Sequence, residues 1–174
     1  MLIDLRSLLS GTKEEMSVTA ELEMNVFKFT VAEYEITDKK PVELTITKTG
    51  KNKLQITGSG YVALSIPCDR CLEPVKTDIH FDIDKQVNMS EDSGVVEDEE
   101  EKDYIDGYNL DVDKLVFGEV LLLIPGKTLC KEDCKGLCLK CGANLNEGEC
   151  GCDRVSLDPR MSVFKDILNN FKEV

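Results

Sequence analysis

Histidine is almost missing from this sequence: His80 is the only one in 174 residues. It sits between Ile79 and Phe81 on the polar register of its segment, the place of a solvated residue and not of a general base. Long apolar runs are missing as well. The longest, Val120–Ile124, is far short of the roughly 20 residues needed to span a bilayer. The opening Met1-Leu2-Ile3-Asp4-Leu5-Arg6 has neither the positive lead nor the apolar stretch of a secretory signal. No glycine-rich phosphate loop of the usual spacing occurs. Basic residues are in deficit, 21 Lys and Arg against 34 Asp and Glu, for a net charge of −13. Such a surface repels nucleic acid overall and favours basic partners. Together these absences predict a cytoplasmic chain with no membrane role and no small-molecule substrate, in a compartment where thiols stay reduced.

What is present is enough for one domain. Hydrophobic residues make up 41% of the chain and charged ones 32%, a core with a well-solvated surface. Period-two alternation fills the first half: Val18, Ala20, Leu22, Met24 and Val26, then Val42, Leu44 and Ile46, then Leu54, Ile56, Val62, Leu64 and Ile66 after the turn at Thr49–Asn52. Val75, Thr77, Ile79, Phe81, Ile83 and Val87 follow. This predicts at least four half-buried antiparallel strands, mostly joined as a meander. Gly58 and Gly60 fall on the buried register and suggest a bulge or bend. From Ser90 to Asp106 nine acidic residues face one Lys, which reads as a self-repelling loop. Asp111–Ile124 reads as a helix capped by Asp111 or Asp113, with Leu115, Val116, Val120 and Leu123 on one face. Phe117, Leu121 and Leu122 broaden that face, so the helix is expected to be largely buried before Pro125-Gly126 stops it. Asp158-Pro159-Arg160 opens a last amphipathic helix through Val163, Phe164, Ile167, Leu168 and Phe171. The expected class is α+β: an antiparallel β-meander core with a buried helix, a cysteine-rich zinc segment and a C-terminal helix. In domain terms, residues 1–89 form the β core with a first zinc knuckle and 90–106 an acidic flexible loop. Residues 107–174 hold the helix, the cysteine-rich segment and the last helix, and join 1–89 in one folded unit.

Eight cysteines fall in four short pairs: Cys68 and Cys71, Cys130 and Cys134, Cys138 and Cys141, Cys150 and Cys152. In a reduced compartment closely spaced pairs signal metal or redox chemistry and not a disulfide framework. Zinc takes four soft ligands in a tetrahedron, and a short-spaced pair on a tight turn supplies two. Gly142 and Gly151 lie where such turns need a residue without a side chain. Cys138, Cys141, Cys150 and Cys152 could close one compact site, leaving Cys68 and Cys71 to meet Cys130 and Cys134 across the fold. The rival arrangement draws one zinc from the six later cysteines and leaves Cys68 and Cys71 free. Two structural zinc sites would take the net charge from −13 to about −17, since each joins four thiolates to one dication. A thiol-redox protein is the competing class, but Cys68 lies between strands beside Asp69, not at a helix N-terminus where a thiolate is stabilised.

The segments Cys68-Asp69-Arg70-Cys71-Leu72, Leu123-Ile124-Pro125, Gly136-Leu137-Cys138-Leu139-Lys140-Cys141-Gly142-Ala143-Asn144-Leu145-Asn146 and Asp158-Pro159-Arg160 together resemble the YceD family, the large ribosomal RNA subunit accumulation proteins. The resemblance covers nearly the whole chain. It implies a bacterial, non-enzymatic factor supporting accumulation of large-subunit (23S) ribosomal RNA. Its expected partners are ribosomal RNA, a ribosomal protein or a pre-ribosomal particle. Other members keep the first cysteine pair, carry histidines near the place of Cys130 and Cys134, and lack most later cysteines. That implies pairing Cys68 and Cys71 with Cys130 and Cys134, and an accessory role for the later set. The alternative function is a thiol-based redox or zinc-binding protein unrelated to ribosomes. The one locally basic stretch, Lys127, Lys131, Lys135 and Lys140 against Glu132 and Asp133 for a net of +2, joined by Arg70 across a shared zinc, is the candidate contact surface for RNA or another partner.

Overall fold

A computed structural model describes residues 1–30, 32–89 and 103–152 of the protein. The expected C-terminal helix and most of the expected acidic loop lie outside those residues. The chain opens with β1 (Leu2–Asp4) and one helical turn, α1 (Arg6–Leu9). The alternating segments follow as β2 (Glu15–Ala20), β3 (Val26–Phe29), β4 (Ala32–Lys39), β5 (Val42–Lys48), β6 (Lys53–Pro67) and β7 (Pro74–Asn88). Then come β8 (Ile105–Asp106), β9 (Asn109–Asp111) and α2 (Val112–Leu123).

The six middle strands make one antiparallel sheet. Strand β2 pairs with β5 and β3 with β4, while β5 and β4 pair with successive halves of β6. Strand β6 pairs with β7 along its whole fifteen-residue length, from Lys53–Asn88 to Pro67–Pro74. The arrangement is a four-row meander in which the first two rows are each interrupted once. One face is apolar: Leu44, Ile46, Leu54, Ile56, Val62, Leu64, Ile79, Phe81 and Ile83 are all buried. Helix α2 lies against that face near β7, burying Val112, Leu115, Val116 and Val120 and stacking Phe117 on Phe27 at 4.4 Å between ring centroids. Asp111 caps it by accepting hydrogen bonds from the backbone N–H of Asp113 and Lys114, which satisfies two donors the first turn would leave orphaned. A small sheet in the order β1-β9-β8, with Ile3, Leu5, Leu8 and Leu110 buried, completes the second layer. The described chain is thus mostly antiparallel sheet with two short helices on one side, an α+β layering.

Three local expectations are corrected. The alternation from Val18 to Val26 does not form one strand, because β2 ends at Ala20 and β3 begins at Val26. Between them side chains replace the ladder. Lys39 Nζ donates to the carbonyls of Leu22 at 2.7 Å and Met24 at 2.8 Å, and the Asp113 carboxylate accepts from the N–H of Glu23 and Met24. Buried or half-buried backbone needs partners, and these side chains supply them at no demand for strand geometry. Gly58 and Gly60 mark close approach and not a bulge, since the β6–β7 register runs unbroken through both. A Cβ on Gly58 would meet the Glu43 carbonyl oxygen at 2.4 Å, and one on Gly60 the Phe81 ring at the same distance. Finally, α2 is not buried all round: Leu121, Leu122 and Leu123 are 41%, 77% and 47% exposed.

Two glycine substitutions should therefore move stability in opposite directions. Gly58→Ala must push back a backbone carbonyl, and overpacking of this kind costs about 1–3 kcal/mol. Gly118→Ala, in α2 with open space where its Cβ would stand, should add about 0.5–1 kcal/mol through helix propensity. Urea denaturation of the two variants checks both signs.

Candidate metal centre

Strands β6 and β7 join through a tight knuckle at residues 68–73. The N–H of Cys68 donates to Glu73 O at 2.8 Å and that of Leu72 to Cys68 O at 2.9 Å. Leu72 takes a left-handed φ of 61° to close the turn. The strand hydrogen bonding thereby ends in a loop that points Cys68 and Cys71 the same way. The segment after α2 is then tied to this knuckle. Asp69 N donates to Thr128 O at 2.9 Å, and Thr128 N donates to the Asp69 carboxylate at 2.8 Å. Arg70 turns its guanidinium onto the carbonyls of Cys134 at 2.8 Å and Glu132 at 3.4 Å. Gly136, at a φ of 74°, lies so close that a Cβ would stand 2.9 Å from Arg70 O; that approach lets Leu137 N donate to the same oxygen at 3.0 Å.

These ties gather four sulfurs from two distant parts of the chain. Those of Cys68, Cys71, Cys130 and Cys134 lie within 4.8 Å of one another, as do those of Cys138, Cys141, Cys150 and Cys152. In the first cluster Cys68 and Cys134 are 3.9 Å apart and Cys71 and Cys130 3.5 Å. A disulfide needs about 2.05 Å, whereas the edge of a sulfur tetrahedron around zinc, with bonds of about 2.3 Å, is about 3.8 Å. The spacing fits a four-thiolate metal site. Each cluster could hold a metal ion such as zinc. Cys68, Cys71 and Cys134 are buried and Cys130 is exposed, while in the second cluster only Cys138 is buried. The second cluster is closed by short turns: Cys138 N donates to Ala143 O and Gly142 N to Cys138 O, with Gly142 and Gly151 both at positive φ.

The electrostatics agree with that reading. Burial pushes the Cys68 thiol up, but backbone N–H groups of Arg70, Cys130 and Cys71 outweigh it and bring the thiol down to about 6. Cys138 is likewise brought down to about 6, chiefly by the N–H groups of Cys141 and Lys140. Cys134 is lowered first by the Asn146 side chain. Against these, the hydrogen bond with Cys71 pushes Cys130 up to about 12, and that with Cys141 pushes Cys152 up to about 12. Backbone donors in each cluster favour a thiolate, yet four neighbouring thiolates repel one another. A dication removes that conflict, because coordination deprotonates thiols outright.

Lys127, Lys131, Lys135 and Lys140 are all exposed at this cysteine-rich end, and Arg70 is exposed but engaged by the carbonyls of Glu132 and Cys134. Asp69, which the sequence marks only as an acid beside Cys68, and Thr128 and Asn146, which it does not mark as site residues, hold the loops that carry the sulfurs. The Asx-type turn at Asn144-Leu145-Asn146 is the only signal that could have drawn attention to the last.

A family model described as Large ribosomal RNA subunit accumulation protein YceD matches residues 56–168, well over half of the chain and inclusive of both clusters. The chain belongs to the YceD family. Among curated YceD relatives, the chloroplastic YCED homolog 1 of Arabidopsis thaliana, a large ribosomal RNA subunit accumulation protein, is 28% identical over 149 residues, 70% of this chain and 46% of its own length. Uncharacterized proteins of Mycobacterium tuberculosis and Mycobacterium bovis are 29% identical over 120 residues, 65% of this chain and 55% of theirs. The chain thus spans about half the length of the curated relatives it matches. No solved structure matches it.

Because Arg70 holds carbonyls beside a cluster sulfur, Arg70→Ala should loosen the 131–135 turn by about 1 kcal/mol, the scale of a hydrogen bond with a charged donor discounted for exposure. Hydrogen exchange should accelerate at Lys131–Lys135 and stay unchanged in β5–β7.

Proposed function

We propose that this chain is a cytoplasmic, non-enzymatic factor that supports accumulation of large-subunit (23S) ribosomal RNA and ribosome assembly, with each four-cysteine cluster holding one structural zinc. The observation that carries the reading is the YceD match over residues 56–168 falling on two complete four-sulfur sets. A zinc with four thiolate ligands has no open position for water, which is what a structural site requires and a hydrolytic one forbids. Residues 1–89 and 107–174 act as one folded unit, because the first zinc draws two ligands from each. The Arabidopsis relative carries large-subunit RNA accumulation in its name, and the same role is what the family match supports here.

Charge decides which partner fits best. The solvent register of the sheet carries Glu15, Glu35, Glu43, Asp78, Asp82 and Asp84, all exposed, and the whole chain is at −13. A basic ribosomal protein or a partly assembled particle complements that surface better than naked RNA. The exposed lysines at 127, 131, 135 and 140 are the RNA-facing alternative. The competing reading, thiol redox, finds support in the two thiols near 6, and resistance of the cysteines to alkylation in the zinc-loaded protein separates the two.

Protein purified without chelator should contain two zinc ions per chain by elemental analysis; one or none counts against the two-site reading. Zinc retention should fall on acidification. The metal-free Cys68 and Cys138 thiols are brought down to about 6, so protons begin to compete with the metal for these two sulfurs only as pH drops below that value. Depleting the protein should lower large-subunit ribosomal RNA and mature large subunits, and unchanged subunit profiles in a strain with no second copy would remove the assembly reading. Replacing the four lysines with Glu, with zinc retained, should reduce RNA crosslinking only if RNA is the direct partner.

A further inference from the structure

The two clusters are not independent loops. Leu145 N donates to Gly136 O at 2.9 Å, and Leu137 and Asn144 form an antiparallel bridge. Asn144 Nδ2 donates to the Glu73 carboxylate at 3.3 Å, reaching the knuckle itself. The stretch between Cys141 and Cys150 therefore folds back over the first cluster. At its tip Asn146 accepts from Lys135 N at 2.9 Å through Oδ1, and its Nδ2 donates to Cys134 Sγ at 3.3 Å. The Asn144 side chain fixes the amide in turn: its Oδ1 accepts from Asn146 N at 3.1 Å and Nδ2 at 2.9 Å. No chemistry internal to the second cluster calls for an amide aimed at a sulfur of the first.

We propose that Asn146, carried on the loop that the second cluster closes, is a positioning residue for the first cluster, so that metal bound in either set tightens the hold of the other. This rests on the reading that both sets bind zinc. An N–H donor fixes the direction of a ligating sulfur and takes up part of its charge, and partners of this kind influence metal affinity by about 10–100-fold when removed. The second cluster supplies the donor only while its loop is closed, and closing four sulfurs on one ion would add to the hydrogen bonds that hold residues 142–149 in place. Binding linkage makes the effect reciprocal: if the second metal strengthens the first, the first strengthens the second by the same factor.

The test challenges full-length, zinc-loaded protein with EDTA and follows N-ethylmaleimide labelling of each cysteine by mass spectrometry, so that the sets are read separately. Asn146→Ala should speed labelling of Cys130 and Cys134 by about tenfold or more. Asn146→Asp keeps the acceptor for Lys135 N but lacks the donor, and should do the same. Opening the second set by Cys150→Ser with Cys152→Ser should also speed labelling of Cys130 and Cys134, and adding Asn146→Ala to it should then change little. With cobalt in place of zinc, Asn146→Ala should move the thiolate-to-metal charge-transfer band to longer wavelength, because a sulfur freed of its hydrogen bond gives up charge more easily. A merely structural asparagine would leave that band in place. Two zinc ions per chain with unchanged labelling of the first set in Asn146→Ala overturns this proposal alone. A full effect of Asn146→Ala in the protein lacking Cys150 and Cys152 overturns the coupling, and protein that binds no metal at all overturns it together with the zinc reading.

Discussion

Four sulfurs meeting across a sequence separation of 59 to 66 residues are the constraint on which the segment after α2, and its attachment to the sheet, depends. Residues 124–152 contain no helix and no strand beyond one isolated bridge, and apart from the second cluster's Cys138 they bury little: Thr128, Cys134 and Leu145 among side chains. A segment so poor in apolar burial cannot offset its own ordering entropy, which is on the order of 1–2 kcal/mol per residue for the backbone alone. Something other than a hydrophobic core must hold it. Metal binding coupled to folding supplies free energy on the required scale, roughly 10 kcal/mol or more for a structural zinc site. The hydrogen bonds of Asp69, Arg70 and Asn146 then decide the geometry that the metal would lock.

The sheet side of the molecule works on the opposite principle. Its core is apolar on one face and continuous from Ile3 to Val120, so it has no need of a metal. The long β6–β7 hairpin connects the two regimes. Its inner register is anchored in the core at Leu54, Ile56, Val62 and Leu64, and its far end at Pro67–Pro74 carries the knuckle out to the cysteine-rich end. A rigid ladder with no register break delivers Cys68 and Cys71 to a fixed place, which is what a pair of ligands shared with a distant segment requires.

Much of this was legible from residue order because the signals were local. Period-two alternation marks strands whatever they pair with, and short Cys spacing marks paired ligands whatever closes the other half of the site. The features that escaped all depend on contacts between residues far apart. Nothing near Leu22 or Met24 announces that Lys39 and Asp113 will take up their backbone groups, so an alternating stretch was read as one strand. Gly58 and Gly60 signalled a special backbone, and only the neighbouring Glu43 carbonyl and Phe81 ring show that the reason is space and not a bulge. Leu121, Leu122 and Leu123 continue the apolar composition of α2, but a helix lying on a flat sheet has only one face to bury, so they face solvent. Arg70 has the charge of an RNA contact, yet its guanidinium is spent on carbonyls of the chain that carries Cys134.

That last point bears on how an acidic protein could serve a nucleoprotein particle, as the proposed function requires. The carboxylates on the solvent register of the sheet and the lysines around the cysteine segment lie on different parts of the fold, so net charge describes neither surface well. At a Debye length of about 8 Å in physiological salt, a partner touching the cysteine segment meets Lys127, Lys131, Lys135 and Lys140 interspersed with Glu132, Asp133, Glu147 and Glu149, a mixed surface unlike that of the sheet. Conversely, a basic protein lying on the sheet meets a surface with more carboxylates, among them Asp78, Asp82 and Asp84, than lysines such as Lys76. In the proposed zinc-loaded form each four-thiolate site would leave two net negative charges close to those lysines, so zinc narrows the difference between the two surfaces, with the lysines and backbone N–H groups partly offsetting the added charge. On the proposed function, one surface need not recognise every partner, provided the knuckle, the cysteine segment and the sheet keep a fixed relation, which the shared cluster would set.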